Sequence, residues 1–330
     1  MPGLLLTQRL AAQCESEIHA ITERSGVPLA IVPFPVESSE PLPAPLLAGI
    51  EAAFASPDLY ETGGAWSFID ALEASPNLRW AHLGWAGVDN PRLRALAERG
   101  VLLSNSPGAA AEPIAHTLMA GLLALARDFP YLAQQQRAHR WERRPSGPLP
   151  QDLSQQTLVI FGLGAIGSEF ARLAQPLGLH VIGVRRSPRR DTDTIDELVH
   201  RDHLDTVLPR ADWLAITAPL TDATRGLFNA QRLALLPPGA GLLNVARGKI
   251  VDEDALIAAL RSGALGRAYL DVVADEPLTP DSPLWDLPNV ILTPHTSWAA
   301  SGNAERARQI FLRNLEAWVT QQPLPEEIRY

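Results

Sequence analysis

Cysteine is nearly absent: Cys14 is the single one in 330 residues. One cysteine excludes an intramolecular disulfide and a cysteine-based zinc site, and it fits a reducing compartment. Cys14 itself reads as a packed helix residue. No apolar run reaches the length that spans a bilayer. The opening MPGLLLTQRLAAQCESE has no charged leader and only a three-residue leucine run, so no signal peptide is expected. Positive charge is in deficit as well. The net charge of −9 argues against a nucleic-acid-binding surface. Internal repeats and long low-complexity tracts are missing. What remains has the composition of an ordinary globular protein, 46% hydrophobic and 20% charged, and the expected location is the cytoplasm. The length allows two domains.

The stretch Gln156 to Arg190 organises what is present. Thr157 to Phe161 is a short apolar run suited to a buried strand. It leads into GLGAIG, with Gly162, Gly164 and Gly167. Ser168 to Leu177 follows with helical spacing, and Leu179 to Val184 reads as a second buried strand. Strand, glycine-rich turn, helix and strand in about 30 residues is one βαβ unit. The first glycine permits a tight turn, the second leaves room for a pyrophosphate against bare backbone, and the third allows close helix–strand packing. The helix N-terminus adds free N–H groups and a positive dipole end. This context predicts dinucleotide binding.

An acid is missing where an NAD site wants one, at the end of the second strand, to accept from the ribose hydroxyls. The chain has Arg185, Arg186, Ser187, Pro188, Arg189 and Arg190 there. Arginine at this place suits a 2′-phosphate through forked, charge-assisted hydrogen bonds, and Ser187 adds a further donor. NADPH is therefore the expected cofactor. A solvated basic loop is the plainer alternative.

The rest of the chain alternates strands with helices, the pattern of parallel sheets covered on both faces. Strands are expected at Leu4–Leu6, Leu29–Phe34, Ile50–Ala55, Leu78–Gly84 and Val101–Ser104, then at Trp213–Thr217, Ala240–Val245, Ala268–Val272 and Val290–Leu292. Asp196 to Leu208 reads as helix then turn, and a helical tail runs from about Asn303 to Thr320. Asp89 is a candidate cap for the helix starting near Asn90, and His116 in the helix Ala111–Asp128 reads as a packing histidine. Phe129 to Asp152, polar and rich in Arg and Pro, reads as a crossing segment between domains or as an arm that packs on a partner subunit. Trp141 within it could anchor a partner subunit or pack on its own. Pro33–Pro45 and Pro145–Pro150 read as loops.

Loops at the carboxyl ends of parallel strands are where such sheets bind ligands. Trp85-Ala86-Gly87-Val88-Asp89 is one, with Ala86 and Gly87 small enough for their N–H groups to approach a carboxylate. Arg247, Glu276 and His295 each follow a predicted strand of one sheet. Each alone could be an ordinary loop residue. Together they are the parts needed to move hydride between a carbinol and a nicotinamide. A histidine moves the proton, an acid orients it, and an arginine grips a carboxylate by a forked contact.

The segments WAGVD (85–89), GLGAIG (162–167), APLTDATRG (218–226), NVARG (244–248), DVVADEPL (271–278) and TPHTS (293–297) together resemble the D-2-hydroxyacid dehydrogenase family over nearly the whole chain. The resemblance implies two doubly wound parallel-sheet α/β domains. One is a Rossmann NAD(P)-binding domain over 105–297. The other is a discontinuous flavodoxin-like substrate domain, 1–104 with 298–330. It implies Arg247 as the substrate-activating arginine, Glu276 as the partner of the histidine, and His295 as the acid/base. Ala86 and Gly87 match the carboxylate-binding backbone, and Ala165 and Ile166 the pyrophosphate contacts. Ala218, Val245, Ala246, Arg247 and Asp271 match cofactor contacts. A homodimer through the cofactor domain and its arm is also implied.

Two departures matter. VRRSP resembles the NADPH-using glyoxylate/hydroxypyruvate reductases, and His116 stands where many members have Glu. The expected activity is reduction of a small 2-ketoacid to the D-2-hydroxy acid, with no metal. Alternatives are an NAD-dependent dehydrogenase of another D-2-hydroxy acid, such as a phosphoglycerate, or a cofactor-sensing binding protein on the same fold.

Overall fold

A computed structural model describes residues 1–36, 40–142 and 149–328. The proline-rich stretch Pro145–Pro150 and the crossing arm therefore lie partly outside the described residues, as does part of Pro33–Pro45. The chain divides into two compact units, Met1–Ala110 with Ala300–Tyr330, and Ala111–Ala299.

The first unit holds β1 (Gly3–Thr7), β2 (Ala30–Phe34), β3 (Ile50–Ala55), β4 (Trp80–Leu83) and β5 (Leu102–Asn105), paired in parallel in the order β2-β1-β3-β4-β5. This is the flavodoxin-like order. Leu4, Leu5 and Leu6 are all fully buried, as a strand covered on both faces demands. Thr7 Oγ1 accepts from Leu10 N–H and starts the helix Gln8–Ser25, which buries Leu10, Cys14, Ile18 and Ile21 on one face. The helix Asn303–Val319 returns from the chain's end to this unit. Its Phe311 ring stacks on Phe54 at 4.4 Å and on Trp80 at 5.8 Å. Burying one such ring contributes about 1.5–3 kcal/mol, so the C-terminal segment is part of the unit's core. After the helix, Ile328 N–H donates to Leu103 O at 2.8 Å and Asn105 N–H to Glu326 O at 3.2 Å. The tail thereby covers the β5 edge, which would otherwise offer free ladder groups.

The second unit holds β6 (Thr157–Phe161), β7 (His180–Arg185), β8 (Glu197–His200), β9 (Trp213–Ile216), β10 (Ala240–Asn244), β11 (Leu265–Leu270) and β12 (Val290–Leu292). All pair in parallel, in the order β12-β11-β10-β9-β6-β7-β8. Strand order reverses between β6 and β9, the switch point at which open α/β sheets bind nucleotides. The helix Ala111–Ala126 buries Ala115, Leu118, Leu122 and Leu125 against this sheet, with Gly121 directly over the Tyr269 ring.

Three expectations change. Asp196–Leu208 is not helix then turn: Glu197–His200 is an edge strand paired with Ile182–Arg185, and only Leu204–Val207 is α-helical. Phe129–Arg137, at the head of the crossing arm, is a helix with Pro130 in its first turn. Asn90, not Asp89, caps the helix Pro91–Glu98, its Oδ1 accepting from Arg92 N–H at 2.9 Å. Among the described residues no helix is long and apolar enough to cross a membrane, and no cluster of metal-ligating side chains occurs.

Candidate active site

The glycine turn sits at the switch point. Gly162 leaves β6 with φ +106, and a Cβ there would lie 2.6 Å from Ala218 N. Thr217 Oγ1 donates to Gly162 O at 2.5 Å and fixes the turn. A Cβ on Gly167 would lie 2.0 Å from Gly162 O, so helix and strand touch through backbone alone. Gly164 is different: nothing stands within 4 Å of its missing Cβ. The helix Ala165–Ala174 begins there with no side-chain cap. Open space, bare backbone and an uncapped helix N-terminus fit a dinucleotide pyrophosphate. Ala218, Val245 and Ala246 are buried at neighbouring strand ends.

Of the arginines at the end of β7, Arg185 is turned inward. Its guanidinium donates to both carboxylate oxygens of Asp193, at 2.8 and 2.5 Å, and to the carbonyls of Ser187 and Pro188. The two side chains are only 7% and 2% exposed. Arg185 holds the Asp193 carboxyl below its usual range, chiefly by hydrogen bonding. Arg185, the residue expected at a 2′-phosphate, here braces its own loop. Arg189 also points home, onto the carbonyls of Ile195 and Asp196. Arg186 and Ser187 are exposed.

The ionisable three lie along one edge. Because β10, β11 and β12 are sheet neighbours, the loops carrying Arg247, Glu276 and His295 leave the same carboxyl edge in succession. His295 Nδ1 meets Glu276 Oε2 at 2.7 Å. The pair is about 40% and 38% exposed, so its value is orientation, since exposed ion pairs contribute about 0–1 kcal/mol. His295 has φ +52, an uncommon conformation for a non-glycine residue. It is over-determined from several sides: its N–H donates to Asp271 O at 2.8 Å, and its carbonyl accepts from Trp298 Nε1 at 2.8 Å.

Asp271, expected to meet the nicotinamide, serves this loop. Its buried carboxylate accepts from Thr293 Oγ1, from Thr296 N–H, and from the N–H and hydroxyl of Ser297, at 2.5–3.2 Å. Arg247 is half-buried, and Asn244, fully buried, shapes its turn. Asn244 accepts from Ala246 N–H at 3.0 Å and donates to Arg247 O at 3.1 Å. Glu253 accepts from Ala274 N–H at 2.8 Å and steadies the loop leading to Glu276. The sequence reading gave Asn244 and Glu253 no role at the site. For Asn244 a signal existed: Asn before a strand-end turn readily bonds backbone two or three residues on. His116, expected to pack, is exposed on its helix.

In the first unit, Trp85-Ala86-Gly87 leaves β4. Trp85 meets Tyr60, from the short helix Asp58–Glu61 after β3, edge to face at 4.8 Å. Ala86 is exposed and Gly87 half-buried.

An open glycine turn at the switch point, with an imidazole backed by a carboxylate a few strands along the same edge, fits hydride exchange with a nicotinamide. The chain is an NAD(P)-dependent oxidoreductase. The D-isomer specific 2-hydroxyacid dehydrogenase NAD-binding domain matches residues 119–297, and the chain belongs to that family. It is 38% identical over 228 residues to a glyoxylate/hydroxypyruvate reductase B of Yersinia pestis, covering 68% of this chain and 70% of the relative. A reductase of the same name from Pectobacterium carotovorum is 39% identical over 228 residues, 68% of this chain and 71% of the relative. Among solved structures, a D-isomer specific 2-hydroxyacid dehydrogenase from Xanthobacter autotrophicus, in complex with NADPH and MES, superposes with TM-score 0.76 at 28% identity over 99% of this chain and 98% of that one. An NADPH-dependent glyoxylate/hydroxypyruvate reductase from Sinorhizobium meliloti, in complex with NADP and sulfate, gives TM-score 0.75 at 27% identity over 99% and 98%.

Proposed function

We propose that this protein reduces a small 2-ketoacid of the glyoxylate or hydroxypyruvate kind to its D-2-hydroxy acid, with NADPH preferred over NADH. The observation that carries the reading is the His295–Glu276 contact. Nδ1 engages the carboxylate, so Nε2 is the nitrogen left to work on a substrate. The turn Gly162–Gly167 would hold NADPH, which would supply the hydride. His295 Nε2–H gives its proton to the carbonyl oxygen as the carbonyl carbon becomes a carbinol, and Glu276 stabilises the imidazolium that precedes transfer. Arg247 grips the substrate carboxylate and polarises the carbonyl. In the first unit, Ala86 and Gly87 offer backbone N–H groups suited to a carboxylate.

The cofactor preference rests on Arg186 and Ser187, with Asp193 paired to Arg185 rather than open to a ribose. Residues 105–297 are assigned to cofactor binding and 1–104 with 298–330 to substrate binding. A cytoplasmic homodimer assembled through the arm is part of the same proposal. Relatives named for this reaction and solved with NADPH or NADP support it.

The test is steady-state kinetics on glyoxylate, hydroxypyruvate and larger 2-ketoacids with each cofactor. Turnover with NADPH at higher kcat/KM than with NADH is expected. His295→Ala should lower kcat roughly a hundredfold or more, the scale of general acid–base catalysis, with NADPH affinity unchanged. Absence of turnover on every 2-ketoacid, or near-normal kcat in His295→Ala, would sink the assignment.

A further inference from the structure

A pair of N–H groups binds a carboxylate only if both are aimed at it, and a glycine-containing loop does not aim itself. The peptide unit is planar, so a carbonyl and the following N–H point in opposite directions in one rigid plane. Fixing one fixes the other. Trp85 O accepts from Ser106 N–H at 3.2 Å, and Ala86 O accepts from Asn105 Nδ2 at 2.8 Å. Those two carbonyls share planes with the N–H groups of Ala86 and Gly87. Among the described residues neither N–H has a protein acceptor.

The donors are themselves held. Asn105 ends β5 and pairs in register with Leu83, the last residue of β4, so it stands beside the exit from which the loop leaves. Behind it is a buried polar chain. Trp80 Nε1 donates to Ser104 Oγ at 2.9 Å, and Ser104 Oγ meets His82 Nδ1 at 2.7 Å. His82 Nε2 meets Ser106 Oγ at 2.9 Å. His82 is completely buried and kept neutral, its pKa pushed by burial down to about 3. A neutral imidazole donates from one nitrogen and accepts at the other. With Nε2 donating to Ser106 and Nδ1 accepting from Ser104, every member is satisfied.

We propose that Asn105 and Ser106 are positioning residues for the substrate carboxylate: they hold the carbonyls of Ala86 and Trp85, and so aim the Gly87 and Ala86 N–H groups outward as a pair. The proposal rests on the ketoacid reading above. The Asn105 side chain is the part open to substitution, because Ser106 acts through its backbone.

The experiment uses Asn105→Ala, which deletes the donor, and Asn105→Asp, which keeps the shape and sets a carboxylate against the Ala86 carbonyl. KM and kcat for hydroxypyruvate, the inhibition constant of oxamate and the Kd of NADPH are measured for each. KM and the oxamate constant should rise together, roughly threefold to tenfold for one lost hydrogen bond. The rise should be larger for Asn105→Asp, while kcat and the NADPH Kd move less than about twofold. Unchanged KM and oxamate binding in a folded variant overturn the positioning role while leaving the reductase reading intact. So does an equal loss of ketoacid and NADPH affinity. No turnover by the unsubstituted protein overturns both. If Asn105→Ala fails to fold, Asn105→Asp decides.

Discussion

Gly164 and Gly167 lie one helical turn apart and should fail in opposite ways when given a methyl group. At Gly167 the methyl meets the Gly162 carbonyl at 2.0 Å, a backbone atom that cannot swing aside. Gly167→Ala should therefore cost about 1–3 kcal/mol by overpacking, and a thermal melt should fall by several degrees. At Gly164 the methyl meets nothing within 4 Å, and φ is an ordinary −79. Gly164→Ala should melt as the parent does, yet bind NADPH at least tenfold more weakly, because the space it fills is the phosphate cradle. Fluorescence titration of NADPH beside the melts reads both. Unimpaired NADPH binding by Gly164→Ala would move the pyrophosphate elsewhere. Residues of this kind were legible in the sequence, since their spacing sits between a strand and a helix. Asp193 and Asn105 were not, because each acts on a backbone or side chain that only the folded loop brings near.

The loop from Arg185 to Asp193 shows the same limit in an element. A run of arginines after a strand reads as a phosphate site, but sequence cannot say which of them faces out. The structure buries one with an aspartate eight residues on. Removing one partner of a buried pair leaves the other charged and uncompensated, at about 3–5 kcal/mol. Arg185→Ala and Asp193→Ala should therefore loosen the loop, lower the melting temperature, and weaken NADPH and NADH alike. Arg186→Ala should leave the melt unchanged and weaken NADPH alone, by roughly tenfold to a hundredfold for a charge-assisted contact. The ratio of the two Kd values in each variant is the measurement. Loss of NADPH preference in Arg185→Ala with a normal melt would return the phosphate to Arg185. Elements with a strong period were readable, including all five strands of the first sheet and the closing helix. Glu197–His200 was not: four residues are too few to separate a period of 2 from one of 3.6, and only pairing with β7 decides it.

At the scale of the molecule, several of the large exposed apolar side chains fall within the segment Phe129–Asp152. Phe129 and Leu132 stand exposed on the helix Phe129–Arg137, Trp141 is fully exposed, and Leu149 nearly so. Scattered exposed hydrophobics are ordinary, but four large ones within one short stretch of sequence are a candidate contact surface. The net charge of −9 disfavours casual self-association, so a contact made here must be specific and apolar. Two-fold symmetry is the commonest closure, and it lets each copy bury the arm of the other. Sedimentation of the 35.8 kDa chain should therefore give about twice that mass at micromolar concentration. Trp141→Ala, removing an aromatic of the type that dominates interfaces, should weaken the dimer by about 2 kcal/mol or more, roughly thirtyfold. Leu132→Arg should weaken it further by placing charge in the contact, with the fold of each chain intact by circular dichroism. A chain that sediments as a monomer at tens of micromolar, or a dimer indifferent to both substitutions, would assign the arm's apolar side chains to some other contact and remove the homodimer from the proposal.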